Sequence, residues 1–228
     1  MKKIVFIVAL LVSNLSIAQY CVFLEIETQQ PEMVVSTFTD MMQSDWGKNI
    51  QGKASLFANY FNGKKQATHN LQICFQDEAG LQHFMTTWSG SKTTRLFSDK
   101  INTFTTRISQ TINTPIWYQN DWSKDNVFMM WELEVSNTPV YAKEFSGFAK
   151  EIAKKLNIEN SIGIAYPMVG QTDAFTHFVW VGSPDIATAL SRTKAMYADP
   201  LFAAFSKKVI GMRKVKGTHM SVRLVDFN

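Results

Sequence analysis

The sequence has no GxSxG, no CxxC and no clustered histidines. Its only cysteines are Cys21 and Cys74, and His69, His83, His177 and His219 are scattered singly. Without a Ser or Cys beside a His and an acid, no hydrolase-type nucleophile can be assembled from local motifs. Without His/Cys spacing there is no candidate metal site, and no metal or other cofactor is expected. The main apolar run, Ile4–Val12, is too short to span a bilayer comfortably. Charge is nearly balanced, with 23 Lys+Arg against 19 Asp+Glu and a formal net charge of +4. The one basic cluster (Lys207, Lys208, Arg213, Lys214, Lys216) has no interleaved aromatic residue, so no nucleic-acid partner is expected.

What is present is apolar and aromatic. A hydrophobic share of 46% and an aromatic share of 13% in 228 residues can bury a substantial core. The first stretch, MKKIVFIVALLVSNLSIAQ, places two lysines before the apolar run and the small residues Ser16 and Ala18 before Gln19. That order is the layout of a secretory signal peptide over residues 1–18, so the mature protein is expected to be exported, periplasmic or extracellular, with no stable membrane anchor. Removing Lys2 and Lys3 lowers the formal charge from +4 to +2. Bulky Tyr20 before Cys21 argues against a lipoprotein site.

The remainder is written twice. CVFLEIE at residues 21–27 reads as a strand, and Pro31–Gln43 as a helix with Val34, Phe38, Met41 and Met42 on one face. ASLFANYF (54–61) and HNLQICF (69–75) read as strands joined by an NGKK hairpin turn. Asp77 can cap a second helix to about Trp88, and TFTTRIS (103–109) closes the unit. The second copy runs VFMMWELEV (127–135), a helix over 141–156, strands at 161–169 and 175–181, a helix over 186–197 and THMSVRLV (218–225). The GQTD at 170–173 is read as the second hairpin turn. Glu25-Ile26-Glu27 matches Glu132-Leu133-Glu134, Thr68-His69 matches Thr176-His177, and Arg107-Ile108 resembles Arg223-Leu224. These limits predict a first unit over 19–112, a linker over 113–125 and a second unit over 126–228.

Both halves read βαββαβ, a ferredoxin-like α+β unit with strand order 4-1-3-2 and both helices on one face. The bare face of each sheet needs a cover, which the other copy can supply. The chain thus resembles the dimeric α+β barrel superfamily, with two units fused into a pseudo-dimer packed sheet to sheet. No specific functional family is singled out, and no haem-ligand motif of its haem-handling branches is present.

Alternation assigns the faces. Phe23, Glu25, Met130, Glu132, Gln72 and Trp180 are expected to face the space between the sheets, with Arg107, Arg223 and His219 beside the glutamates. Neighbouring first and last strands then predict the pairs Glu25–Arg107 and Glu132–Arg223, either as structural ion pairs or as a polar lining for a ligand. Gln72 and Trp180 supply an amide and an aromatic wall. Cys21, at the start of one strand, and Cys74, at the end of its neighbour, fall on one face. They can form a disulfide or remain two buried thiols. Three functions follow: an exported protein binding a small apolar or aromatic molecule between the sheets, an interaction module with a filled inter-sheet core, and a monooxygenase-like enzyme. A monomeric pseudo-dimer or a further oligomer is compatible with all three.

Overall fold

In the computed structural model, residues 20–170 and 174–227 are described. The expected signal peptide lies outside them, as does most of the GQTD turn. The first unit comprises β1 (Tyr20–Thr28), α1 (Pro31–Gln43), α2 (Asp45–Lys48), β2 (Lys53–Tyr60), β3 (His69–Phe75), α3 (Glu78–Gly90), α4 (Lys92–Ile101) and β4 (Thr105–Gln119). The second comprises β5 (Val127–Val135), α5 (Thr138–Lys155), β6 (Ile162–Val169), β7 (His177–Ser183), α6 (Ile186–Ala198), α7 (Pro200–Lys208) and β8 (Arg213–Phe227).

The helices start where their chemistry directs. Pro31 occupies the first turn of α1, where its missing N–H costs nothing. Asp77 and Asp185 occupy matching N-caps, accepting from Gly80 N at 2.8 Å and Thr188 N at 2.7 Å. The segment carrying Leu96, Phe97 and Ile101 is itself helical. Ser91 ends α3 and caps α4 through its hydroxyl, and Asp199 ends α6 and caps α7 through its carboxylate.

The eight strands close into one barrel in the order β1-β3-β2-β8-β5-β7-β6-β4. Each unit keeps the predicted internal order, β4-β1-β3-β2 and β8-β5-β7-β6. The segment read as a linker is different. Residues 113–119 continue β4, which pairs first with β1 and then with β6. Only 120–126 connect the units, with a short 3-10 helix at Trp122–Lys124. Likewise β8 pairs with β5 and then with β2. A four-stranded sheet ends in edges of unpaired backbone groups, and these two 15-residue strands cover the edges of the opposite unit. Pro115, which has no N–H to give a ladder, stands at the irregularity between Pro115 and Trp117.

Three cores result. In the first unit Val34, Phe38, Met41 and Met42 of α1 pack on Val22, Ile26, Leu71 and Ile73. In the second, Tyr141, Phe145, Ala149 and Ala153 of α5 pack on Trp131, Leu133, Ile164 and Val179. The third fills part of the barrel: Phe57, Phe128, Ala165, Phe178 and Trp180, with Phe23 and Met130 against them. Gly163 makes room for Trp180, because a Cβ there would lie 2.2 Å from its ring. Cys21 and Cys74 stand directly opposite on β1 and β3 and form a disulfide.

Candidate functional site

Inward-facing side chains make two adjoining cavities along the barrel. The apolar one is about 70 Å³ and is walled by Phe23, Phe57, Phe128, Met130, Phe178 and Trp180, with Gln72 and the Cys21–Cys74 disulfide on one side. The polar one is about 30 Å³ and is lined by Glu25, Lys65, Asn70, Glu132 and His219, among others. Phe23, Asn113, Met130, Phe178 and Ser221 line both.

At the polar end, Lys65 Nζ lies 2.6 Å from Glu25 Oε1 and 2.5 Å from Glu132 Oε1. The two carboxylates come from matching strand positions of the two units, and one lysine joins them. All three side chains are about 85% buried. Burial by itself would lower the pKa of Lys65, but attraction to the two carboxylates outweighs it and the pKa is raised. Ser109 Oγ donates to Glu25 Oε2 at 2.8 Å. His219 Nδ1 is 3.9 Å from Glu132 Oε1, beyond a hydrogen bond. Desolvation, followed by repulsion from Lys65, pushes its pKa down to about 3, so its imidazole is neutral. The cluster therefore holds two carboxylates, one ammonium and a neutral histidine, a net charge of −1.

Several polar groups here lack partners. Asn70 is 6% exposed, and its Oδ1 accepts no hydrogen bond. Among the described residues, neither nitrogen of His219 makes a hydrogen bond.

Two of the expected pairs do not form. Arg107 is exposed and stands opposite Ile26, on the outer side, because β4 is irregular opposite Glu25 and Ile26. One extra residue there reverses the facing of everything before it, and Ser109 takes the place expected for Arg107. Arg223 does face inward, but Glu132 pairs with Gly217. Six residues of strand put Arg223 roughly 20 Å from that position. It closes the opposite end of the barrel, 5.1 Å from the Phe57 ring and 5.8 Å from those of Trp122 and Phe128. There it donates to Trp122 O, Asp125 O, Ser55 Oγ and Asp226. Of the other expected site residues, Glu25, Glu132 and His219 meet at the polar end. Gln72 and Trp180 meet in the apolar cavity, where Trp180 Nε1 donates to Ser161 Oγ at 3.1 Å.

The residue that sequence reasoning missed is Lys65. The β2–β3 connection is a broad loop over 61–68 rather than a tight hairpin, with Phe61 and Gly63 in the left-handed region. Lys65 N donates to Asn62 O at 2.9 Å and Asn62 Nδ2 donates to Lys65 O at 2.8 Å, which fixes the turn that aims the lysine inward. The available signal was a shortage: two inward carboxylates demanded a cation, and the nearest arginines were assigned to them.

The matching Thr-His pairs are structural. Thr68 and Thr176 accept from Thr28 N and Val135 N at corresponding strand ends, and each contacts its neighbouring histidine. Burial lowers the pKa of both His69 and His177.

No protein-family model and no curated protein sequence matches the chain. Similarity appears in three dimensions. An anthrone oxidase-like protein superposes with a TM-score of 0.62 at 8% identity, covering 92% of this chain and 93% of its own. A monooxygenase-like protein of Fusobacterium nucleatum gives 0.59 at 15% identity, with the same coverage. A heme-binding protein of Thermus thermophilus gives 0.54 at 9%, covering 91% and 92%. What is shared is the fold, an α+β barrel built from two βαββαβ units. Identities this low establish the fold of the dimeric α+β barrel and leave activity to the residues.

Those residues do not suit a haem. Another, larger cavity of about 180 Å³ lies between the second unit's sheet and its helices, outside the barrel. Among the described residues that line it there is no histidine or cysteine, and its single thioether, Met196, is a ligand type that haem proteins pair with a histidine. Its tyrosines are engaged, Tyr197 Oη accepting from Trp131 Nε1 and Tyr141 Oη from Arg213. Inside the barrel, the cavities beside His219 are far below the roughly 300–1,000 Å³ of an ordinary cofactor pocket.

Proposed function

We propose that this is an exported protein whose barrel interior binds a small apolar molecule that directs a polar head into the cavity lined by Glu25, Asn70, Glu132 and His219. One observation carries the reading. A single closed barrel places an aromatic-walled cavity beside a polar one in which the buried Asn70 carbonyl has no partner, which is how small-molecule sites are built. The helix–sheet cavity supports it less well despite its size, because its tyrosines and arginines already have partners. Besides the tyrosines, Arg213 bonds Ser206 and Arg192 bonds Asn160. The solved proteins of similar fold are named for oxidase-like, monooxygenase-like or heme-binding roles, which supports small-molecule handling in kind.

The 70 Å³ cavity is smaller than the about 150 Å³ apolar cavity that takes up benzene. A ring therefore enters as Met130 repacks, which its flexible thioether chain permits. A filled interaction module is disfavoured because unpartnered Asn70 would gain nothing from it. Catalysis by His219 is disfavoured because a base of pKa about 3 takes up protons poorly near neutrality. Export rests on the order of the first eighteen residues and is supported by the Cys21–Cys74 disulfide, which persists in oxidising compartments.

The test is uptake of benzene, toluene and 1-butanol, followed by calorimetry and by the part of the tryptophan fluorescence that Trp180→Phe removes. Ala165→Phe, which fills the cavity beside Phe178, should abolish uptake and leave the fold intact. If no probe binds at millimolar concentration, or if Ala165→Phe binds as well as the wild type, the barrel is not the site.

A further inference from the structure

We infer that the ligand's polar head is a cation, so that the barrel takes a small primary ammonium compound with an apolar tail. The inference rests on the barrel being the binding site and adds the chemical class of what binds there.

The argument is a count of charges and donors. Around the 30 Å³ cavity, Glu25 and Glu132 contribute two negative charges and Lys65 one positive charge, so one negative charge is uncompensated in a buried place. Uncompensated buried charge is unfavourable. Acceptors also exceed donors. Glu25 uses Oε1 for Lys65 and Oε2 for Ser109, whereas Glu132 uses only Oε1. Glu132 Oε2 has no partner among the described residues, and Asn70 Oδ1, buried to 94%, has none either. His219, buried to 93%, adds a free acceptor nitrogen to the same wall.

An ammonium group brings one positive charge, three donors and no acceptor, the complement of that deficit. A hydroxyl brings one donor and leaves the charge; a carboxylate adds a second unpaired charge. The setting already holds one ammonium in this manner. Lys65 Nζ sits between carboxylates with the Phe175 ring 5.9 Å away, and a ligand amine would find the same carboxylates and the neighbouring Phe178. The cavity exceeds the ~10–15 Å³ that one water-sized group needs, and it shares Phe23, Met130 and Phe178 with the apolar cavity, where an alkyl tail would lie once Met130 repacks.

A matched series tests this: n-butylammonium, 1-butanol and butyrate, titrated into the full-length mature protein at pH 7 by calorimetry. The expected order is butylammonium roughly ten- to a hundredfold tighter than butanol, with butyrate weakest. Glu132→Gln should erase the preference for the ammonium while butanol binding persists, and Glu25→Gln serves as a second variant should the first fail to fold. Butanol binding as tightly as butylammonium would overturn the inference and leave the barrel reading standing, as would a tighter butyrate. Persistence of the preference in both glutamine variants would mean that the amine binds elsewhere. If none of the three binds while benzene does, this inference falls and the barrel reading stands; if benzene fails as well, both fall.

Discussion

Replacing Lys65 by methionine removes one charge and keeps the length of the side chain, so it isolates what the ammonium does. Glu25 and Glu132 would then face each other without compensation. Their Oε1 atoms both touch the same nitrogen, which places them no more than about 5 Å apart. Two like charges at that distance repel by roughly 3 kcal/mol at an effective dielectric constant near 20. Loss of the hydrogen bonds from Nζ adds to this, and removal of one partner from a buried ion pair typically costs about 3–5 kcal/mol. Lys65→Met should therefore lose about 3–5 kcal/mol in urea unfolding monitored by tryptophan fluorescence. Adding Glu25→Gln and Glu132→Gln to it removes the orphaned charges and should restore most of the loss. A single variant within about 1 kcal/mol of the wild type would refute the reasoning, because it would mean that Lys65 does not hold the two units' carboxylates together. Restoration absent in the triple variant would place the loss in packing rather than in charge.

Three further outcomes follow from the same geometry. Arg107→Ala should change stability by less than about 0.5 kcal/mol, while Arg223→Ala, which strips four hydrogen-bond partners and three aromatic contacts, should cost roughly 3 kcal/mol; equal effects would contradict the assignment of Arg223 as the plug at one barrel end. Cys21→Ser with Cys74→Ser releases a loop of sequence separation 53 and should lose about 4 kcal/mol on the chain-entropy model, read from the shift in the urea midpoint against the oxidised protein. For His219, the folded pKa near 3 lies below the ordinary 6.5, so its contribution is fully present above pH 6.5 and fades as pH falls toward 3. His219→Gln should flatten the stability profile between pH 6 and 4 by about 1.4 kcal/mol per pH unit, the slope of one proton, leaving the smaller parts due to His69 and His177. An unchanged slope would mean that His219 is not buried as the barrel places it.

The sequence by itself determined the local units. Hydrophobic periodicity set the strands and helices, Asp77 announced its helix, and the echo of FLEIE in WELEV exposed the duplication. These are one-element properties, dictated by side-chain spacing and by backbone groups that need partners close by. The sheet order and the barrel likewise followed from units with one bare face each. The facing of Phe23, Glu25, Gln72, Glu132, Trp180 and His219 was legible because strand alternation is a strict period of two.

Only the tertiary structure decided who meets whom across strands. One irregularity beside Glu25 turned Arg107 outward, and the length of β8 carried Arg223 to the far end, since register depends on a pairing partner distant in the chain. The same holds for residues 113–119, whose sequence is compatible with a linker until the edge of β6 gives their backbone something to bind. Lys65 came into the site from a loop whose path is fixed by Asn62 and by a left-handed Gly63, neither of which shows in a hydrophobic pattern. The charge that joins the two glutamates was therefore visible in composition and invisible in place.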